Sequence, residues 1–206
     1  MKLFISPGAC SLSPHIVAHE LGIPLEIEKV DLKAKHTASG RDFLEINPKG
    51  YVPALELDNG EVLTEGPAIV QYLADQKPQA GLAPPNGTLA RARLQEMLNF
   101  ISTELHKTYS PLFNPATVQE TRQERREHLR KRYAYVEKVL TKNRFLLGDQ
   151  FTVADAYLFV VTNWAKHADV DLSEFKSLAA FQQRVAARPA VQAALVAEGL
   201  IKQQAA

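Results

Sequence analysis

Three short stretches of the chain carry side chains that could do chemistry. Cys10 is the single cysteine among 206 residues. It follows the apolar run Lys2–Ile5 and the turn Ser6-Pro7-Gly8, and it opens a segment with apolar residues at 12, 16, 17 and 21. That pattern is a helix, and the partly positive N-terminus of a helix favours thiolate, so Cys10 reads as a nucleophilic or ligand-facing thiol. A lone cysteine is equally a small buried hydrophobe, and position alone does not separate the two. The second stretch is Asn47-Pro48-Lys49-Gly50-Tyr51-Val52-Pro53-Ala54-Leu55, where Pro53 stands at the entry to a strand. A cis Val52–Pro53 bond would leave the Val52 backbone groups able to pair with an extended ligand, whereas trans is the commoner state of an X–Pro bond. In the third stretch, Glu65-Gly66-Pro67 ends a strand and opens a helix. Backbone N–H groups there can hold a carboxylate and Glu65 can hold an ammonium, which together suit the amino-acid end of a zwitterion. A plain helix cap with an acidic residue against the dipole has the same sequence.

The elements that must position these stretches follow from periodicity and turn residues. Strands are expected at 2–5 and 25–30, and again at 54–57 and 62–64 around Asp58-Asn59-Gly60, whose Asn-Gly supplies positive φ angles for a tight hairpin. Helices are expected at 11–21, stopped by Gly22 and Pro24, at 41–46, and at 68–74 behind Pro67. The order is β-α-β-α-β-β-α. The stretch 77–87 is dense in Pro and Gly and reads as a linker. Beyond it the chain is helical throughout. Leu94, Leu98, Ile101 and Leu105 make one apolar stripe, and Leu129, Tyr133, Val136 and Leu140 make another. Thr152-Val153-Ala154-Asp155 is a capping box that opens a further helix. The fold class is thus an α/β half followed by an all-α half. The expected division is 1–80, a linker at 81–87, and 88–206.

Composition narrows the function. A net charge of +1 gives no global drive towards nucleic acid or an anionic membrane. It hides an asymmetry: residues 1–81 hold 7 Lys+Arg against 11 Asp+Glu, a net of −4, and residues 82–206 hold 17 against 12, a net of +5. The basic run Arg122–Arg132 has Glu at helical spacing, and it reads as a solvated, salt-bridge-laced helix rather than a nucleic-acid patch. One cysteine makes no internal disulfide and no zinc cluster. No signal peptide or membrane span is apparent, so a cytoplasmic protein without a metal is expected.

Cys10 at a helix mouth, Val52-Pro53, Glu65-Gly66, the Pro-rich linker and Phe151-Thr152-Val153-Ala154-Asp155 together resemble a cytosolic glutathione transferase over essentially the whole chain. With His106 and Lys107 the resemblance is to the bacterial beta class. It implies a thioredoxin-like N-terminal domain and an all-helical C-terminal domain, with the tripeptide glutathione as co-substrate in the cleft between the domains. It also implies that Val52, beside a cis Pro53, pairs with the cysteinyl unit, that Glu65 and Gly66 hold the γ-glutamyl end, and that Lys35 faces the glycine carboxylate, with Lys33 in competition. Tyr51 would wall the site. Many family members have serine where this chain has Gly66, which keeps the N–H and lacks the hydroxyl.

The same resemblance implies a homodimer in which Asn99, Thr103 and Glu104 of a neighbouring subunit approach the γ-glutamyl group. His106 and Lys107 would lie near the sulfur. At α-helical spacing these residues form one polar face, with Glu104 at its edge; a solvated face is the plain alternative. Cys10, Ser11 and His106 are candidate donors to the glutathione thiolate. Tyr109, Phe113, Trp164 and His167 could line the pocket for the second substrate, although aromatics at helical spacing are more often core. The expected activity is conjugation of glutathione to small hydrophobic electrophiles. The competing readings are thiol transfer, peroxide reduction or dehalogenation through a mixed disulfide on Cys10, and a ligandin-like binder without turnover. With no second cysteine beside Cys10, a dithiol mechanism is excluded.

Overall fold

A computed structural model describes residues 1–202. In chain order the elements are β1 (Lys2–Ile5), α1 (Leu12–Leu21), β2 (Glu26–Asp31), β3 (His36–Thr37), α2 (Phe43–Ile46), β4 (Ala54–Glu56), β5 (Val62–Thr64), α3 (Gly66–Gln76) and α4 (Leu89–Phe100). A wide π-helical turn, Ile101–His106, leads into α5 (Lys107–Phe113), α6 (Gln119–Lys142), α7 (Val153–Asn163), α8 (Lys176–Ala186) and α9 (Pro189–Ala197). They form two compact units. One is Met1–Ala80 together with residues 187–202; the other is Gly81–Ala186.

The first unit is built on a sheet of order β3-β2-β1-β4-β5. β1 pairs in parallel with β2 and antiparallel with β4, and the other pairs are antiparallel. Leu3, Phe4 and Ile5 are wholly buried, as befits a central strand covered on both faces. Below the site, Phe4, Val30, Phe43, Ile46, Val52 and Ala54 form one apolar cluster, so the segment before β4 is anchored by its own Val52 side chain. The expected element order lacks β3, whose two residues pair with Val30 and Asp31. A two-residue strand is too short to show an alternation. In the hairpin, only Gly60 of the Asn-Gly pair has positive φ (84°), and Leu57 N–H closes the loop on the Glu61 carbonyl.

The C-terminal end corrects the expected division. Helix α9 belongs to the first unit, not to the helical one. Val191 and Ala194 are buried, and Arg188 reaches both carboxylate oxygens of Glu20 on α1 at 2.6 and 2.8 Å. Glu198, just beyond α9, is buried and meets Nδ1 of the buried His15 of α1 at 3.0 Å. Pairs separated by more than 160 residues leave no local pattern to read.

In the second unit all eight residues of the two apolar stripes are buried. Helix α7 is buried along nearly its whole length. Its capping box forms as expected, with Thr152 N–H donating to the Asp155 carboxylate at 2.8 Å. Two further donors converge there: the Thr152 hydroxyl and the Leu146 N–H, both at 2.8 Å. The basic run is more than solvated. Arg122 donates to the carbonyls of Leu112, Asn114 and Thr117, capping the end of α5, and Arg130 pairs with Glu174 and Asp171. Among the described residues no helix is long and apolar enough to cross a membrane.

Candidate functional site

In the first unit the turn from β1 to α1 presents Cys10, and the loop before β4 comes to meet it. The half-buried Cys10 thiol donates to the Val52 carbonyl at 3.1 Å. The Val52–Pro53 bond is cis. Cys10 is not the thiolate that a helix mouth suggests. Burial pushes its thiol up to about 12, and although the N–H groups of Cys10 and Ser11 favour the anion, they do not offset it. The hydrogen bond agrees, since a carbonyl can only accept and therefore requires the proton on sulfur.

Ser11 is a second correction. Its hydroxyl accepts from Ser6 N–H at 3.2 Å and donates to the Ser6 carbonyl at 3.3 Å, and the residue is fully buried. It fastens the turn and is not placed to donate to a ligand. The turn has a further tie that the sequence does not reveal: Gly8 N–H donates to Glu198 at 2.9 Å.

Around Val52 the loop is organised by Asn47, whose side-chain amide donates to the Tyr51 carbonyl at 2.7 Å and whose oxygen accepts from Lys49 N–H at 3.2 Å. Tyr51 is 68% exposed, and the Lys35 ammonium lies 5.8 Å from its ring centre. The same ammonium donates to the Gly50 carbonyl at 2.8 Å. Lys33 is exposed, and its backbone N–H is bonded to Asp31 at 2.8 Å. Glu65 is exposed at the head of α3 with φ of +70°. A side chain held in that region costs about 1–3 kcal/mol, a strain that clusters at ligand-binding positions. Lys35 shares the feature, with φ of +57°. Glu65 pairs with Lys49 at 2.8 Å, a partner that sequence reasoning missed because a loop rather than a periodic element brings it there. Gly66 heads α3. A Cβ there would meet Pro53 at 3.9 Å and Ser13 Oγ at 4.0 Å, both ordinary contacts.

In the second unit the wide turn changes the expected polar face. Lys107 N–H reaches back five residues to the Ser102 carbonyl, which breaks the α-helical phase between Thr103 and Lys107. Asn99, Thr103 and Lys107 are exposed, and His106 is half-buried. Glu104 turns within its own unit to Arg132 (2.6 Å) and His128 (3.3 Å). His106 joins an aromatic group: its ring lies edge-on to Trp164 at 4.9 Å and to Tyr157 at 5.8 Å. Trp164 in turn meets Tyr109 at 5.7 Å and Phe113 at 5.9 Å. Tyr109 is wholly buried and its hydroxyl donates to Tyr133 at 3.1 Å, so its polar atom is already committed. Phe113 is 49% exposed. His167 is exposed on the turn Ala165–His167 and outside this group, which corrects its expected place.

Models of two glutathione S-transferase domains match the chain, the N-terminal over residues 8–76 and the C-terminal over residues 100–189. The chain is 48% identical to glutathione S-transferase GstA of Escherichia coli O157:H7, over 97% of this chain and all of that one. Among solved structures, a sphingomonad glutathione S-transferase complexed with glutathione superposes with a TM-score of 0.94 at 49% identity, over 98% of this chain and all of the other. A bacterial beta-class enzyme from Sphingomonas chungbukensis superposes with a TM-score of 0.95 at 48% identity, again over 98% of this chain and all of the other.

Proposed function

The chain belongs to the glutathione S-transferase family, with the beta class among its structural relatives, and from that premise we propose that it transfers the sulfur of glutathione to small hydrophobic electrophiles. The observation that carries the reading is the first unit's array of complementary groups: a protonated thiol, the Val52 backbone, a carboxylate at a helix head and an ammonium beside an exposed aromatic ring. Val52 pairs with the cysteinyl unit, flanked by Pro53. Glu65 takes the γ-glutamyl ammonium and the Gly66 N–H takes its carboxylate. Lys35, not Lys33, takes the glycine carboxylate, because its ammonium already sits by Gly50 and Tyr51. Replacing Lys35 with Met is expected to raise KM for glutathione about tenfold, the worth of one charge-assisted hydrogen bond, with Lys33→Met within twofold. Equal effects in initial-rate measurements would refute this assignment.

Gly66→Ser gives a gain-of-function test. The site has room for a Cβ, so the added hydroxyl is expected to lower KM for glutathione about threefold without loss of thermal stability. A higher KM in steady-state kinetics would show that the hydroxyl is not near the ligand.

A free thiol with a pKa near 8.5 is only roughly 3% thiolate at pH 7. Lowering that pKa by about two units needs about 2.7 kcal/mol of differential stabilisation, which two or three hydrogen bonds with a helix terminus supply. Cys10, as a protonated thiol, is one donor once its single S–H turns from the Val52 carbonyl to the ligand, and His106 and Lys107 supply the rest. Nucleophilicity falls with pKa, so the gain in thiolate is partly offset. Phe113 and Trp164, the half-exposed members of the aromatic group, wall the apolar pocket for the electrophile; Tyr109 backs them from the core. The protein is a cytoplasmic homodimer in this reading, with Asn99, Thr103 and Glu104 reaching the neighbouring subunit's γ-glutamyl group. The Glu104 pairs with Arg132 and His128 must open for that contact to form.

The test is retention on immobilised glutathione combined with turnover of an aryl chloride. Retention without turnover of any electrophile would reduce the protein to a ligandin-like binder. A monomeric mass at full activity would remove the shared site.

A further inference from the structure

We propose that Tyr157 is a positioning residue that fixes the imidazole of His106 in its Nε2–H tautomer. This rests on the reading of His106 as a donor to the bound thiolate. Tyr157 lies on α7, is 2% exposed, and brings its hydroxyl to 2.5 Å from His106 Nδ1. Of the two pairings this distance allows, phenol O–H to imidazole nitrogen is the stronger. The unprotonated imidazole nitrogen is a far better acceptor than a neutral phenol oxygen, whose lone pair is delocalised into the ring, and a phenol O–H is a better donor than an imidazole N–H. Tyr157 therefore donates and Nδ1 accepts. In neutral imidazole one nitrogen accepts and the other carries the proton, so the remaining proton sits on Nε2.

The surroundings suit a fixed ring. His106 ends the wide turn, where the backbone departs from α-helical phase, and its ring is held edge-on between Tyr157 and Trp164 with interplanar angles of 76° and 73°. Helix α7 is itself held at its N-terminus by the Thr152–Asp155 box, so the hydroxyl is presented from a rigid element. The arrangement is the one that orients a functional histidine elsewhere: a second group on one ring nitrogen decides what the other nitrogen can do.

The experiment pairs nitrogen NMR with kinetics on the full chain. In the wild-type protein at pH 8, long-range ¹H–¹⁵N correlation of the His106 ring, assigned with His106→Gln, is expected to show an unprotonated Nδ1 and a protonated Nε2. A protonated Nδ1 would overturn the proposal, and this measurement needs no Tyr157 variant to fold. Tyr157→Phe keeps the ring contacts and removes the donor. It is expected to give a mixed tautomer and to lower kcat for an aryl chloride about tenfold, with KM for glutathione within twofold. In a His106→Gln background the same substitution is expected to change kcat by less than twofold, which a merely structural role for Tyr157 would not produce. An unchanged tautomer in Tyr157→Phe, or a full tenfold loss in the His106→Gln background, would overturn the proposal. A shifted tautomer with unchanged kcat would uphold the positioning by Tyr157 and instead refute His106 as the thiolate's donor.

Discussion

Cys10→Ala is expected to conjugate glutathione to an aryl chloride within about fivefold of the wild-type rate, because a protonated thiol is only a weak hydrogen-bond donor. The same variant is expected to form no mixed disulfide with glutathione at any pH. The wild-type protein should form that disulfide slowly at pH 7. With the thiol pushed up to about 12, only about one part in 10⁵ is thiolate there, and the thiolate is the attacking species. The rate should then rise about tenfold per pH unit up to the ionisation of Cys10, following the thiolate fraction. Intact mass after incubation with oxidised glutathione reads the disulfide, and initial rates read conjugation. Loss of conjugation in Cys10→Ala with glutathione still bound would make Cys10 part of the essential chemistry. Rapid, pH-independent disulfide formation by the wild type would favour the thiol-transfer reading over conjugation.

The second large effect concerns folding. Asp155 is wholly buried and receives three donors: Leu146 N–H, Thr152 N–H and the Thr152 hydroxyl. Alanine there removes a cap, worth about 1 kcal/mol. It also strands two buried backbone N–H groups, at about 1–3 kcal/mol each if no water reaches them. A total loss of about 3–7 kcal/mol is expected, a large part of a typical domain's stability. The pH dependence has a definite sign. Burial pushes the Asp155 carboxyl up to about 6, against its three donors, from 3.8 in the unfolded chain. A folded-state pKa above the unfolded one means that the folded state binds the proton more tightly between pH 4 and 6. The stability this group contributes is therefore fully present below about pH 4 and declines as pH rises through about 6. The gap between wild type and Asp155→Ala should widen as pH falls from 7 towards 4, which urea titration at both pH values checks. A gap that narrows would mean that the carboxyl titrates below its unfolded value.

Glu28 runs the other way. Burial opposes its charge, but hydrogen bonds from Ser39, Thr37 and Lys2 prevail and hold its carboxyl down at about 2. It affects wild type and variant alike, so the difference between them isolates Asp155.

Much of this is legible in the chain because it is local. The Thr152-to-Asp155 spacing specifies the box, Gly22 at φ of +59° ends α1 as its position implies, and the apolar stripes at 94–105 and 129–140 are core. What is not legible is set by distance or by a break in period. Ser11 looks like a donor from its neighbours, yet its hydroxyl is taken by Ser6, five residues back across a turn. The charge state of Cys10 is set by burial, which outweighs the N–H groups at the head of the helix it precedes. Glu198 meets Gly8 and His15 across nearly the whole length of the chain. Tyr157 has no motif at all; it is one aromatic in the apolar helix 153–163, and only its approach to His106 distinguishes it.

In the proposed reaction the protein ionises bound glutathione while Cys10 stays protonated. The pH dependence of kcat/KM for conjugation of glutathione to an aryl chloride tests it most directly. An acidic limb with an apparent pKa of about 6.5 is expected, roughly two units below a free thiol, and in Cys10→Ala, which loses one weak donor, a limb within about one unit of it. A limb that stays near 8.5, as for free glutathione, or one that disappears with Cys10, would contradict it.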